Sequence, residues 1–154
     1  MNPLDFSSNT RFTVVGAGHG GKAMAAHLAL MGFPTKLYNR TDANIEFIQK
    51  RGGIELESYE GGPCGFGKLV LATSNMEEAL KDSQVIMVVV PSSAHRDIAL
   101  SAAPYLVDGQ IVLLNPGRTL GAIEFDKTIR ENGCNTDVII AEAETFLYAS
   151  RSDG

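Results

Sequence analysis

The stretch VVGAGHGGKAM, residues 14–24, constrains the fold of this chain more than any other. An apolar, β-branched run breaks into Gly16, Gly18, Gly20 and Gly21, then resumes as an alanine-rich helical segment. Glycine inside a regular element costs about 0.5–1 kcal/mol relative to alanine. Such density therefore implies a backbone that something else must approach closely. Gly16, Gly18 and Gly21 fit G-x-G-x-x-G, set between a strand at 11–16 and a helix running from about His19 to Met31. In that setting Gly16 permits a tight turn, Gly18 admits a pyrophosphate to the backbone, and Gly21 allows close helix–strand contact. The unpaired N–H groups of the loop and helix start, where His19 and Gly20 also lie, face the phosphates. The competing reading is a structural turn with no ligand.

The rest of the chain alternates short β-rich runs with helical stretches. Met24, Leu28 and Met31 form one apolar stripe on the first helix, which Gly32 closes. TKLYN (35–39) reads as a second strand, followed by a helix over 42–51 with Ile45 and Ile48 facing inward. Between 52 and 74, IELES reads as a strand, EGGPCGFG as a loop and KLVLAT as another strand. A short helix at 76–81 precedes VIMVVVP (85–91), apolar without alternation, as suits a parallel strand covered on both faces. Ser92 and Ser93 can cap a helix through about Leu106. QIVLLNPG (110–117), a helix ending near Asn132 before Gly133, and DVIIA (137–141) complete the pattern. This is an α/β, doubly wound parallel sheet of Rossmann type, one domain over 1–154, with expected strand order 3-2-1-4-5-6.

The end of the second strand distinguishes between dinucleotides. An NAD site places an acidic residue there to hold the ribose 2′-hydroxyl. Here it reads Asn39-Arg40-Thr41, with no carboxylate before Asp42. An arginine with amide and hydroxyl neighbours suits a 2′-phosphate, which points to NADP. Charge-assisted hydrogen bonds contribute ~1.5–3 kcal/mol, which converts to roughly 10- to 150-fold in preference. The alternative is a solvated surface arginine.

Val90, Pro91, Ser92 and His95 stand at the carboxyl end of the fourth parallel strand, beside the crevice where such sheets bind ligands. His95 either approaches the nicotinamide or substrate, or is a polar residue in a helix's first turn. Asn115 and Arg118 read as a turn more readily than as anion contacts. His27 reads as structural, and Glu142 with Glu144 as solvated or hinge-facing acids rather than an acid/base pair.

Thirteen basic and eighteen acidic residues give a net charge of -5, which argues against a nucleic-acid binder. Cys64 and Cys134 lack Cys-x-x-Cys spacing or histidine neighbours, so neither a metal site nor a disulfide framework is expected. No apolar run approaches membrane-spanning length, and MNPLDFSSNT lacks the regions of a signal peptide. The expectation is a reduced, cytoplasmic protein with no membrane partner.

With these residues assembled, the chain resembles the N-terminal domain of the opine dehydrogenases, the octopine/nopaline dehydrogenase family. VVGAGHGGKAMAAHLALMG, VIMVVVPSSAH, GQIVLLNPGRTLGAIEF and AEAETFLYASR carry the resemblance, in order, from Phe12 to Arg151. It implies an oxidoreductase performing a reductive condensation of an amino acid with a 2-oxo acid. It further implies phosphate contacts at Gly16, Gly18 and Gly21, ribose contacts at Arg40, and nicotinamide contacts at Pro91 and His95. The catalytic groups and the substrate pocket belong, in that family, to a second, helical domain absent from this chain, so none of the residues present is assigned a catalytic role. Ala143 stands where threonine is expected and Ser150 where cysteine is usual, which weakens any inference about substrate. The alternatives are a stand-alone NADP-binding or redox-sensing module, and a dehydrogenase of a 2-oxo acid or polyol phosphate. Phe146, Leu147 and Tyr148, apolar residues near the terminus, must fold back or meet another chain, so self-association is expected.

Overall fold

The computed structural model describes residues 7–59 and 61–153. Among the described residues eight strands form: β1 (Phe12–Val15), β2 (Thr35–Tyr38), β3 (Gly53–Leu56), β4 (Gly65–Lys68), β5 (Leu71–Thr73), β6 (Val85–Val88), β7 (Ile111–Leu114) and β8 (Ile139–Glu142). The α-helices are α1 (His19–Leu30), α2 (Glu46–Arg51), α3 (Met76–Leu80), α4 (His95–Ala102) and α5 (Gly121–Glu131). Six strands make one parallel sheet in the order β5-β2-β1-β6-β7-β8. With the β3–β4 hairpin set aside, this is the expected 3-2-1-4-5-6.

Alternation along β1 explains why the sheet is covered twice. Phe12 and Val14 point to one face and join Met24 and Ala25 of α1, Leu37, Ile45 and Ile48. Val15 points to the other face, where α3, α4 and α5 contribute Leu80, Ala99, Phe125 and Ile129. Thr13, on the same face as Val15 and fully buried, donates its hydroxyl to the Ala79 carbonyl at 2.6 Å, so its polarity is satisfied inside the core.

Four local expectations are corrected. The glycine-rich segment read as a loop contains β4, which pairs antiparallel with β3, and KLVLAT divides between the end of β4 and β5. β4 forms because Gly67 has no side chain: a Cβ there would stand 2.6 Å from the Ala26 carbonyl oxygen of α1. The helix expected through Leu106 breaks into a 3-10 turn at 92–94, α4, and a second 3-10 turn at 103–105. Pro104 lacks the N–H that would continue α4, and neither Ser92 nor Ser93 makes a side-chain cap. Residues 42–44 likewise form a 3-10 turn ahead of the shorter α2. Met31 leaves the expected stripe: α1 ends at Leu30, and Met31 is 60% exposed.

Gly67→Ala should destabilise the protein by about 1–3 kcal/mol through overpacking against α1. Urea unfolding checks this, with loss of the β3–β4 amide cross-peaks before the main sheet as the local signature.

Candidate functional site

The glycine turn is held from three sides. Gly16, at φ +113, donates its N–H to the Tyr38 carbonyl at 2.8 Å. A Cβ on Gly16 would collide with the Val89 carbonyl and lie 2.8 Å from Val90 Cγ1, so the turn is pressed against the end of β6. A Cβ on Gly21 would collide with the Gly16 carbonyl, which lets the first turn of α1 close on the turn that precedes it. Gly20 serves a different purpose: its missing Cβ leaves room for the Phe146 ring, whose Cζ would otherwise lie at 2.6 Å. At Gly18 a Cβ would meet nothing within 4 Å. Of the four loop glycines it alone looks onto open space. Gly18 is the N-cap of α1, which has no side-chain cap and no acidic residue in its first turn. The helix therefore presents uncapped N–H donors and the positive end of its dipole to that space.

Asn39 is committed to the scaffold. Its Oδ1 accepts from the Ala17 N–H at 3.2 Å and its Nδ2 donates to the Thr41 carbonyl at 2.9 Å, tying the end of β2 to the glycine turn. Arg40 and Thr41 are exposed beside it. Val90, Pro91 and Ser92 line an open groove of ≈ 400 Å³ with Pro116 and Arg118. Asn115 turns inward, its Nδ2 donating to the Leu113 carbonyl at 2.9 Å, which agrees with the turn reading.

His95 is fully buried, and neither ring nitrogen has a hydrogen-bond partner. Burial pushes its pKa below the usual value, opposed by Glu124, Glu142 and the nearby Val90 backbone. Its side chain is not among those that line the groove. Glu142 is exposed, as expected of a solvated acid, and it also accepts from the Ala122 N–H at 2.6 Å, capping α5 from the end of β8. That role was not legible locally, because the two residues lie 20 positions apart.

The terminal segment folds back over α1. Tyr148 Oη meets His27 Nδ1 at 2.8 Å, and Phe146 packs edge-on to Tyr148 with ring centroids 5.4 Å apart. His19 Nδ1 accepts from the Ser152 N–H at 3.0 Å, which places a neutral ring's proton on Nε2. Phe146 and Tyr148 are partly buried against the core on the α1 side of the sheet, while Leu147 stays 69% exposed. Both cysteines are free, Cys64 exposed and Cys134 buried. Among the described residues, no cluster of three or more His, Cys, Asp or Glu side chains could hold a metal ion. Among them, too, no helix is long and apolar enough to cross a membrane.

Residues 11–136 match the family described as NAD-dependent glycerol-3-phosphate dehydrogenase N-terminus. The chain belongs to this family. It is similar to the opine dehydrogenase of Arthrobacter sp. (strain 1C), 42% identical over 142 residues, covering 92% of this chain and 39% of the relative. It is also similar to the glycerol-3-phosphate dehydrogenase [NAD(P)+] of Carboxydothermus hydrogenoformans, 33% identical over 91% of this chain and 40% of the relative. The chain thus spans about two fifths of these curated relatives (39% and 40%). Among solved structures, octopine dehydrogenase in complex with NADH and agmatine shares the fold at TM-score 0.77 and 18% identity, over 92% of this chain and 36% of that one. Yersinopine dehydrogenase with NADP+ bound aligns at TM-score 0.68 and 15% identity, over 86% of this chain and 34% of that one. This member of the dehydrogenase N-terminal family is therefore an NAD(P)-binding domain of Rossmann type, and the resemblance to opine dehydrogenases holds.

Gly18→Val should keep the stability of the parent, because its side chain enters open space, yet lose dinucleotide binding. Thermal unfolding and ligand titration on the same sample separate the two effects. His95 gives a pH test. Its folded pKa lies below the ordinary 6.5, so the unfolded chain takes up the proton first. The stability that neutral His95 contributes is complete above pH 6.5 and lost as pH falls toward the lowered folded value. Melting temperatures at descending pH should fall less steeply in His95→Leu than in the parent.

Proposed function

We propose that this chain is the NADP(H)-holding domain of an oxidoreductase of opine dehydrogenase type. The observation that carries the reading is the open space at Gly18, facing the uncapped start of α1, with Arg40 and no carboxylate on the adjoining strand end. A cradle that only an absent Cβ leaves free is the fit a pyrophosphate requires.

In this reading the backbone of Gly16, Gly18, His19, Gly20 and Gly21 binds the pyrophosphate. Arg40, with Thr41, meets the 2′-phosphate, and Asn39 holds the loop in place through Ala17 and Thr41. Val90 and Pro91 form the wall along which the nicotinamide lies. His95 supports that wall from inside as a neutral, buried ring, and it orients without exchanging a proton. When bound, the reduced nicotinamide supplies the hydride that turns an imine, formed from an amino acid and a 2-oxo acid, into a secondary amine. The proton-transfer groups and most contacts to the small-molecule substrate lie in the part of the relatives' length that this chain does not span. The identity to the Arthrobacter opine dehydrogenase, 42% against 33% for the glycerol-3-phosphate enzyme, favours the opine reaction over reduction to a polyol phosphate.

Fluorescence or calorimetric titration tests the cofactor assignment. NADPH should bind at least about tenfold more tightly than NADH, the lower bound for one charge-assisted contact, and Arg40→Ala should erase most of the difference. Equal affinities in the parent that Arg40→Ala leaves unchanged would reject NADP. The 154-residue chain should show no NADPH oxidation with pyruvate and an amino acid. Turnover should appear when the chain is extended by the downstream sequence of the opine dehydrogenase relative.

A further inference from the structure

The end of β2 and the start of α4 face each other across β1, because β1 lies between β2 and β6 in the sheet. Arg40 follows β2, and Asp97 lies in the first turn of α4, the helix that follows β6. Their side chains meet there, Nη1 to Oδ2 at 4.0 Å, with 80% and 66% of their surfaces exposed. Asn39 is occupied by Ala17 and Thr41, so it does not compete for the guanidinium. A carboxylate is thus present at the ribose corner of the crevice after all, supplied by a helix 57 positions further along the chain, since 97 − 40 = 57.

From this arrangement we infer that Asp97 sets the cofactor selectivity of the site as the counter-charge to Arg40. The inference rests on the NADP reading above and deepens it. A 2′-phosphate approaching Arg40 competes with the Asp97 carboxylate for the guanidinium and also bears its repulsion. A 2′-hydroxyl is uncharged and meets neither opposition. Asp97 therefore weakens NADPH binding selectively and draws the two cofactors' affinities together. Its removal does little to the fold, because an exposed ion pair at the limit of contact distance contributes little to stability. Screening follows as well: at high ionic strength the effect of Asp97 shrinks, because both partners face solvent.

The test is a set of dissociation constants for NADPH and NADH with the parent, Asp97→Asn, Arg40→Ala and the double variant, at low and high salt. Asp97→Asn should tighten NADPH by roughly three- to fivefold and leave NADH within about twofold, the scale of one exposed opposing charge. The gain should fall by at least about half in the Arg40→Ala background and at high salt. Asp97→Ser serves as a second variant, so that an effect peculiar to asparagine is recognised. An unchanged NADPH constant, equal tightening of both cofactors, or a gain undiminished in the Arg40→Ala background overturns the inference. If Arg40→Ala still weakens NADPH in that case, the cofactor reading stands on its own. If Arg40→Ala leaves NADPH untouched, the cofactor reading fails and the inference fails with it.

Discussion

The rest of the structure depends on one close contact, the approach of the first turn of α1 to the turn that leaves β1. Gly21 stands against the Gly16 carbonyl, and Gly16 stands against the Val89 carbonyl at the end of β6. Neither position can take a methyl group without moving backbone, which cannot yield as a flexible side chain does. A displaced α1 would lift Met24 and Ala25 from the face of the sheet that they cover with Leu37 and Ile45. The contact also aims the helix N-terminus at the open space beside Gly18. The packing requirement and the recognition requirement therefore fall on different glycines of one hexapeptide.

Charge is distributed by the same geometry. The start of α1 carries no acid and no capping side chain, so its donors are left for a ligand. The start of α5 is treated in the opposite way: Glu142 reaches from β8 to accept from the Ala122 N–H, so a carboxylate of the chain itself stands at that helix end. A carboxylate at an N-terminus both satisfies donors and complements the dipole. Two helix ends at the same edge of the sheet are thus made unlike, one capped by the chain itself and the other open.

The pattern of apolar runs was sufficient to order the six parallel strands, because each buried strand must read as β-rich and each crossover as helical. What escaped that reading depends on contacts between distant residues. β4 consists of Gly65, Phe66, Gly67 and Lys68, and its strand character comes from pairing with β3 and from a glycine-thin passage past Ala26. No periodicity can signal that. Arg40 was legible as a candidate because it lies beside the strand end, whereas Asp97 became visible only when the sheet order placed α4 opposite. Glu142 and Glu144 look alike in sequence and are both exposed, and only the fold shows that Glu142 caps a helix. Gly20 carries the same lesson within the fingerprint, since its small size is needed by a ring 126 positions away (146 − 20 = 126).

That ring belongs to a segment that, among the described residues, has no helix or strand beyond Glu142, yet it is fixed at three points along α1. Phe146 rests on Gly20, Tyr148 bonds His27 two turns further on, and Ser152 returns to His19 at the helix start. Irregular backbone gains nothing from a repeating hydrogen-bond ladder, so its order must come from such side-chain contacts. Two of the three lie on the first turn of α1, so the segment covers the turn on the side of His19 and Gly20 while the side of Gly18 stays clear. The glycine turn is thereby walled by β6 beneath it and by the returning chain above. In the proposed reading a ligand at this helix end comes in past Gly18, with Arg40 and Asp97 on one flank and Val90 with Pro91 on the other.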